Sequence, residues 1–394
     1  MINVAILGYG TVGSGVAEVI AMNGAPIAKR AGQEIRVKYI VDVRDFADAP
    51  PQGVFVKDFG VVERDPEVQV VVETIGGATI AQEFTRRALA AGKHVVTSNK
   101  ELVAEYGHAL LELAQAKGVR YLFEASVGGG IPLLHPLREC LAANEIEEIC
   151  GILNGTTNYI LTRMIRAGLT FQDALREAQE NGYAERNPAA DIEGKDACRK
   201  ICILSDLAFG KQVFPQDVPT EGITAVTLED VRCAAAFGRK IKLLGRVIQL
   251  ADGKLCAYVA PHLVSLESPL ANVEDVFNAV LVTGNAVGDV MFYGRGAGKL
   301  PTASAVVGDI VDIASNPAKR ETPWTVSREP MLSPVSAMLT GWYVRAERVP
   351  ETIRPVQESK EDGAAAFLTE PMTAEALGSA LSGVRVFGRF RVLD

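Results

Sequence analysis

The sequence is short of several things, and each shortage narrows its function. Histidine occurs four times in 394 residues, as His94, His108, His135 and His262, too scattered for a metal cluster. Of the six cysteines (Cys140, Cys150, Cys198, Cys202, Cys233, Cys256), none forms a CxxC pair. Cys198 and Cys202 lie among apolar residues at helical spacing, which predicts reduced core thiols in a cytoplasmic protein. A net charge of -8, with no basic stripe interleaved with aromatics, argues against nucleic acid as a partner. No apolar run reaches the length of a membrane span. The opening "MINVAILGYG" carries no positively charged leader, so no secretory signal is expected. With cysteine and histidine clusters set aside, lysines and carboxylates must carry most of any chemistry. The remaining composition, 48% hydrophobic and 22% charged, is that of a globular protein able to fill two or three domain cores.

The strongest local signal is at the start. "INVAILGYGTVGSGVAEVIAMNG" reads as a buried strand, a glycine-rich turn and a helix. Gly8-x-Gly10-x-x-Gly13 falls at the junction, where a dinucleotide-binding unit needs a tight turn, a close backbone approach to pyrophosphate and close helix–strand packing. The helix that follows, opening at Thr11 and Val12, presents N–H groups and a favourable dipole to phosphates. Strands and helices then alternate for about 125 residues, which describes a doubly wound parallel sheet. Ligands on such sheets bind beyond the carboxyl ends of the strands. That rule directs Asp42, Gly76, Ser98, Asn99, Lys100 and Glu124 towards one crevice. Asp42 would hold a ribose 2′-hydroxyl, whereas Arg44, two residues on, would pair with a 2′-phosphate; the two signals conflict.

After "FEASVGGGIPLL" the pattern changes to α+β, with hairpins at "RKIKLLGRVIQLADGKLCAYVAPHLV", turning at Asp252-Gly253, and at "NAVLVTGNAVGDVMFYG". A helix from about Pro301 to Ala314 is expected to return to the first domain. The expected division is 1–125, completed by that helix, for the dinucleotide; 126–300 for substrate and dimerisation; and 315–394 as a small α+β tail.

"DIEGKDACRK" gathers Asp191, Glu193, Asp196 and Lys200 at a helix start. Asp196 and Lys200, four apart, share a helix face. Such a pair is usually a solvated salt bridge. Under desolvating walls, it would instead hold a lysine in place while its proton moves. Lys100, at a strand end beside the cofactor crevice, is the other candidate acid/base. Glu185 and Asp191 are candidates for binding a substrate ammonium group.

Six blocks in order, "GYGTVG", "TSNKELVA", "FEASVGGGIPLL", "GILNGTTNYILTRM", "AQENGYAERNPAADIEGKDACRKICIL" and "FYGRGAGKLPTASAVVGDIVDIA", closely resemble the homoserine dehydrogenase family over residues 1 to 315. The family uses NAD or NADP to interconvert L-homoserine and L-aspartate 4-semialdehyde on the route to threonine and methionine. The resemblance implies that Lys200 is the proton donor and acceptor, positioned by Asp196, with Lys100 beside the nicotinamide. It implies that Glu185 and Asp191 bind the substrate. It also implies a monovalent cation, typically sodium, at Glu124, Val127, Gly129 and Ile131, and a second cofactor-contacting loop at Gly298. A homodimer or higher homo-oligomer formed through the second domain is expected, since the second face of "IKLLGRVIQL" has no obvious cover. Asn187 and Ala190 stand where the family commonly carries acids. The tail resembles the family's ACT regulatory module shortened, without its Asp-x-Pro-Gly turn and most of the following helix, so threonine is expected to inhibit weakly or not at all. Other readings are a different two-domain Rossmann oxidoreductase, which leaves the block around Lys200 unexplained, and a silent cofactor sensor, which the presence of Lys200 and Glu185 disfavours.

Overall fold

Short β-branched runs alternating with helices produce the first half of the chain. In the computed structural model, which describes residues 1–48, 50–327, 331–361 and 363–393, these are β1 (Ile2–Leu7), α1 (Thr11–Met22), α2 (Gly24–Ala31), β2 (Ile35–Val41), β3 (Val54–Val56), α3 (Phe59–Arg64), β4 (Val68–Glu73), α4 (Thr79–Ala90), β5 (His94–Thr97), α5 (Lys100–Lys117), β6 (Tyr121–Leu122) and α6 (Leu134–Glu139). The middle contains β7 (Ile146–Ile152), α7 (Gly155–Ala167), α8 (Phe171–Glu180), α9 (Ala189–Ile192), α10 (Lys195–Phe209), α11 (Leu228–Ala236), β8 (Arg239–Gln249), β9 (Leu255–Ser265), β10 (Phe277–Gly284), β11 (Gly288–Arg295) and α12 (Lys299–Ser315). The last part holds β12 (Trp342–Ala346), β13 (Gln357–Glu361), β14 (Ala364–Leu368), α13 (Ala374–Ala380) and β15 (Val386–Leu393).

The chain divides into two compact units. One comprises Met1–Ala143, Ile203–Phe214 and Gly294–Arg328, the other Asn144–Cys202, Pro215–Tyr293 and Glu329–Asp394. In the first unit six parallel strands take the order β3-β2-β1-β4-β5-β6, that of a doubly wound dinucleotide-binding sheet. The strands β1, β4 and β5 are buried on both faces along most of their length, as a parallel sheet requires of its centre. Val4, Ile6, Val70, Val72 and Val96 pack with Val16 and Ile20 of α1 and with Val306, Ile310 and Ile313 of α12. The strand expected over "VRYLFEASV" is shorter than its sequence suggests. It ends at Leu122, and Glu124–Ser126 turn into a single 3-10 turn.

The second unit is built on a nine-stranded mixed sheet, β11-β10-β7-β8-β9-β15-β12-β14-β13. The β8–β9 hairpin pairs in unbroken register from Arg239↔Ser265 to Gln249↔Leu255 around Asp252-Gly253. The tail strands extend this same sheet, because β15 pairs parallel with β9 at His262–Val264 and antiparallel with β12. The uncovered face expected on β8 is absent. Lys242, Leu243 and Leu244 are all buried within one chain. Leu244 lies under Leu270, Ala271 and Val273, and the neighbouring β9 residues Cys256, Tyr258 and Ala260 under Val335 and Met338. Five cysteines are buried as expected. Cys140 is exposed, because α6 is only six residues long and ends beside it.

Asp230 fastens β12 to α11. Its carboxylate, fully buried, accepts hydrogen bonds from the Tyr343 hydroxyl (2.9 Å) and Arg345 Nε (2.8 Å), and closes a capping box with Thr227. Asp230→Ala would leave the Arg345 guanidinium, with 12% of its side chain exposed, without this carboxylate. Losing one partner of a buried pair costs about 3–5 kcal/mol. The expected outcome is a clear fall in the denaturant midpoint; an unchanged midpoint would show that the pair contributes nothing to stability.

Candidate functional site

In the first unit, the turn after β1 is shaped by sterics. Gly8 has φ +90°, and a Cβ there would lie 2.9 Å from the Thr74 carbonyl oxygen. A Cβ on Gly13 would lie 1.9 Å from the Gly8 carbonyl oxygen, so neither position accepts a side chain. Gly10, by contrast, has nothing within 4 Å of where its Cβ would be. It caps α1 without a side-chain hydrogen bond, so the first-turn N–H groups at Thr11, Val12 and Gly13 are left without intrahelical acceptors. This is the arrangement that receives a pyrophosphate.

Asp42, just past β2, accepts hydrogen bonds from Tyr9 N–H (2.7 Å) and Arg44 N–H (2.9 Å), and from Arg44 Nε (3.1 Å) and Nη2 (2.9 Å). The guanidinium beside it, helped by the two backbone N–H groups and opposed by burial, holds its carboxyl well below the usual carboxylate range. The two conflicting specificity signals of the sequence are therefore one ion pair. Lys57 Nζ donates to the carbonyl oxygens of Val43 and Arg44, which fixes the loop that carries the arginine.

The carboxyl ends of β4 and β5 are wired together by Asn99, which the sequence points to, and by Glu73 and Thr97, which it does not. Glu73, fully buried, accepts from Thr97 Oγ1 (2.7 Å) and Ile75 N–H (2.7 Å). Burial raises its pKa despite those bonds. Asn99 caps α5 through Leu102 N–H and donates its Nδ2 to the Gly77 carbonyl oxygen at 2.7 Å. Gly76, Ser98 and Lys100 lie in these two connected loops, with Lys100 the first residue of α5. The signal for Glu73 was a lone acid ending "VQVVVE", an apolar strand. Gly298, at the N-cap of α12, has φ +125°, a conformation that L side chains rarely adopt.

The Glu124 carboxylate is used for structure. It accepts from the N–H groups of Leu133 (2.6 Å), Leu134 (3.0 Å) and His135 (2.6 Å), where α6 begins. The carbonyl oxygens of the buried residues Val127, Gly129 and Ile131 accept no hydrogen bond from any described residue. Three orphaned buried carbonyls on one short loop fit a hard cation held by backbone oxygen better than they fit a plain turn.

In the second unit, the motif around Lys200 is two helices rather than one helix start. α9 ends at Ile192 and α10 begins at Lys195, because Gly194 sits at φ +83° between them. Lys200 is 8% exposed and Asp196 4%, so this is no solvated pair. Lys200 Nζ donates to Asp196 Oδ2 (2.7 Å) and to the Leu153 carbonyl oxygen (2.7 Å). Asn154 Nδ2 donates to both Asp191 Oδ1 (2.7 Å) and Asp196 Oδ2 (2.8 Å). Asp191, Asp196 and Lys200 are thus brought together as expected. Glu185 lies on an exposed stretch after α8, where its backbone carbonyl accepts a bond from Gln179. Among the described residues no cluster of three or more acids, histidines or cysteines could hold a metal ion, and no helix is long and apolar enough to cross a membrane.

A doubly wound dinucleotide sheet with a separate buried lysine–carboxylate pair defines an oxidoreductase that works with a nicotinamide cofactor. Residues 8–124 match the homoserine dehydrogenase NAD binding domain, and residues 132–311 match homoserine dehydrogenase. The chain is 47% identical to a homoserine dehydrogenase of Neisseria gonorrhoeae over 79% of its own length and 72% of that protein's. The crystal structure of a homoserine dehydrogenase from Thiobacillus denitrificans covers 100% of this chain and 98% of its own, with TM-score 0.93 and 39% identity. A hyperthermophilic archaeal homoserine dehydrogenase mutant in complex with NADPH covers 79% of this chain and 97% of its own, with TM-score 0.67 and 30% identity. The chain belongs to the homoserine dehydrogenase family, and its reaction is the NAD(P)-dependent interconversion of L-homoserine and L-aspartate 4-semialdehyde.

The empty space at Gly10 gives a test. Gly10→Ala should fold with unchanged thermal stability yet bind NADPH at least about tenfold more weakly, since the methyl would occupy the room a pyrophosphate needs. Titration of nicotinamide fluorescence measures this, and undiminished affinity would remove Gly10 from the cofactor contact.

Proposed function

We propose that the two units divide this reaction, the first holding the dinucleotide and the second carrying the proton chemistry on the substrate. When bound, the nicotinamide would supply the acceptor or donor for the hydride. Lys200 Nζ would take the hydroxyl proton when homoserine is oxidised and return it to the carbonyl oxygen when the semialdehyde is reduced. The observation that carries this reading is the burial of the Lys200–Asp196 pair. A lysine held by two acceptors in a desolvated wall is oriented before substrate arrives, so little need be lost to ordering it at the moment of transfer. Asp196 positions the lysine, and Asp191 supports the substrate. For Glu185 we propose capture of the substrate ammonium group; its exposure means that it engages only when substrate is present. Lys100 is assigned to the nicotinamide side.

In the first unit, the pyrophosphate would rest on Gly8, Gly10, Thr11, Val12 and Gly13, with Gly76, Ser98, Lys100 and Gly298 lining the rest. A leaning towards NADP follows from Arg44, which needs only to exchange one oxyanion, Asp42, for another, a 2′-phosphate; the relative crystallised with NADPH supports the same side. A sodium ion would be held through Val127, Gly129 and Ile131, with Glu124 shaping the loop. We also propose a cytoplasmic homodimer. The apolar-face argument for it falls with the covered β8, so the dimer now rests on family resemblance. Weak or absent threonine inhibition is supported by residues 347–356, which join β12 to β13 without a helix.

Lys200→Ala should lower kcat by about two to four orders of magnitude, the usual cost of losing a general acid/base, while leaving NADPH affinity nearly unchanged. Wild-type turnover in that variant would sink the role. Arg44→Ala should move the kcat/KM ratio for NADP over NAD towards NAD; a ratio that stays put would show that the ion pair with Asp42 is only structural.

A further inference from the structure

We propose that Asn154 is the residue that positions the Lys200–Asp196 pair, acting through one backbone corner that grips both members. The inference rests on the role given above to Lys200. Residues 153 and 154 immediately precede α7, and each holds one half of the pair. The Leu153 carbonyl oxygen accepts from Lys200 Nζ at 2.7 Å, and Asn154 Nδ2 donates to Asp196 Oδ2 at 2.8 Å. Nζ and Nδ2 therefore sit on the same carboxylate oxygen. Neither partner can turn without breaking a bond to this corner.

The orientation of the Asn154 amide is dictated by its other end. Oδ1 accepts from Thr157 N–H (2.8 Å) and Thr157 Oγ1 (3.0 Å) as the N-cap of α7, so Nδ2 must face the carboxylates. Its second hydrogen reaches Asp191 Oδ1 at 2.7 Å. One side chain, 5% exposed, thus ties together α7, α9 and α10 across the Gly194 break. Two carboxylates drawn to one amide would repel each other without that bridge. The amide also lowers the negative charge that Lys200 feels from Asp196, without supplying a charge of its own.

A residue that only capped α7 would be replaceable by any good N-cap. That separates the two roles. Asn154→Ser keeps an N-cap oxygen but has a single short donor that cannot span two carboxylates. Asn154→Asp keeps the cap as well and places a third carboxylate against the pair, which favours the charged lysine and raises its pKa. Three proteins, Asn154→Ser, Asn154→Asp and Lys200→Ala, would be compared with wild type by thermal melting, NADPH titration and the pH dependence of kcat and KM for homoserine. The expected result for Asn154→Ser is a retained melting midpoint and NADPH affinity with kcat down about ten- to a hundredfold, as for other residues that orient a reacting group through one contact. In Asn154→Asp the limb of the kcat profile that reports Lys200 should move up by about one pH unit. Wild-type kcat and an unmoved limb in both Asn154 variants, alongside an inactive Lys200→Ala, would overturn the role of Asn154 alone. A fully active Lys200→Ala would overturn the reading beneath it. A fall in melting midpoint with kcat unchanged would reduce Asn154 to a helix cap and would equally overturn the proposal.

Discussion

A lysine that must exchange a proton has to be buried enough to be selective and paired enough to stay put, and the second unit is organised around that constraint. Moving an ammonium group out of water is costly unless its hydrogens find acceptors. Lys200 Nζ meets a charged acceptor, Asp196 Oδ2, and a neutral one, the Leu153 carbonyl oxygen, and both offset the loss of water. The geometry depends on a helix that starts late. If α9 and α10 were one continuous helix, Asp191 would lie five residues before Asp196, about 140° round the axis, and would face away from it. The break at Gly194 brings both carboxylates to the same amide.

The first unit meets a different constraint, the approach of a dianionic pyrophosphate to backbone. Here the chemistry is carried by what is missing. No side chain caps α1, no acid occupies its first turn, and a methyl group is sterically forbidden at two of the three glycines. Negative charge is instead held one strand away, where Asp42 is neutralised by Arg44 before any ligand arrives. The buried Glu73 follows the same logic, because burial favours its neutral form so close to a phosphate site.

The parts of this that were legible in the sequence are those determined locally. The Gly8-x-Gly10-x-x-Gly13 turn, the alternating strands and helices, the Asp252-Gly253 hairpin and the Asp196–Lys200 spacing each follow from a few neighbouring residues. The wiring was not legible. Glu73 to Thr97 spans 24 residues and Asn154 to Asp196 spans 42, and no periodicity reports a bond between side chains that far apart. The cover over β8 was missed for the same reason, since Leu244 packs under Leu270, Ala271 and Val273, a segment that carries no pattern pointing back to that strand. Glu124 is a further case of such wiring: its carboxylate accepts from three successive N–H groups nine to eleven residues later, at the start of α6.

The tail shows how far non-local pairing can change what a segment is. The tail expected over 315–394 reads as an appended unit, yet β15 lies parallel to β9, a strand more than 120 residues earlier, and continues its sheet. The pairing begins at His262 and not before it, because the preceding residue, Pro261, has no N–H to give. Upstream of that proline the same side of β9 is taken by Pro219 and Glu221, which bond to Val259. Arg391 then closes the seam, its guanidinium over both the Tyr258 and Trp342 rings. An effector-driven switch needs an element with two arrangements of comparable free energy. A strand paired on both edges, with Asp230 buried against its neighbour β12, has one arrangement strongly favoured. The shortened link between β12 and β13 therefore removes more than a binding turn: what remains of the tail supplies the four strands at one end of the second unit's nine-stranded sheet.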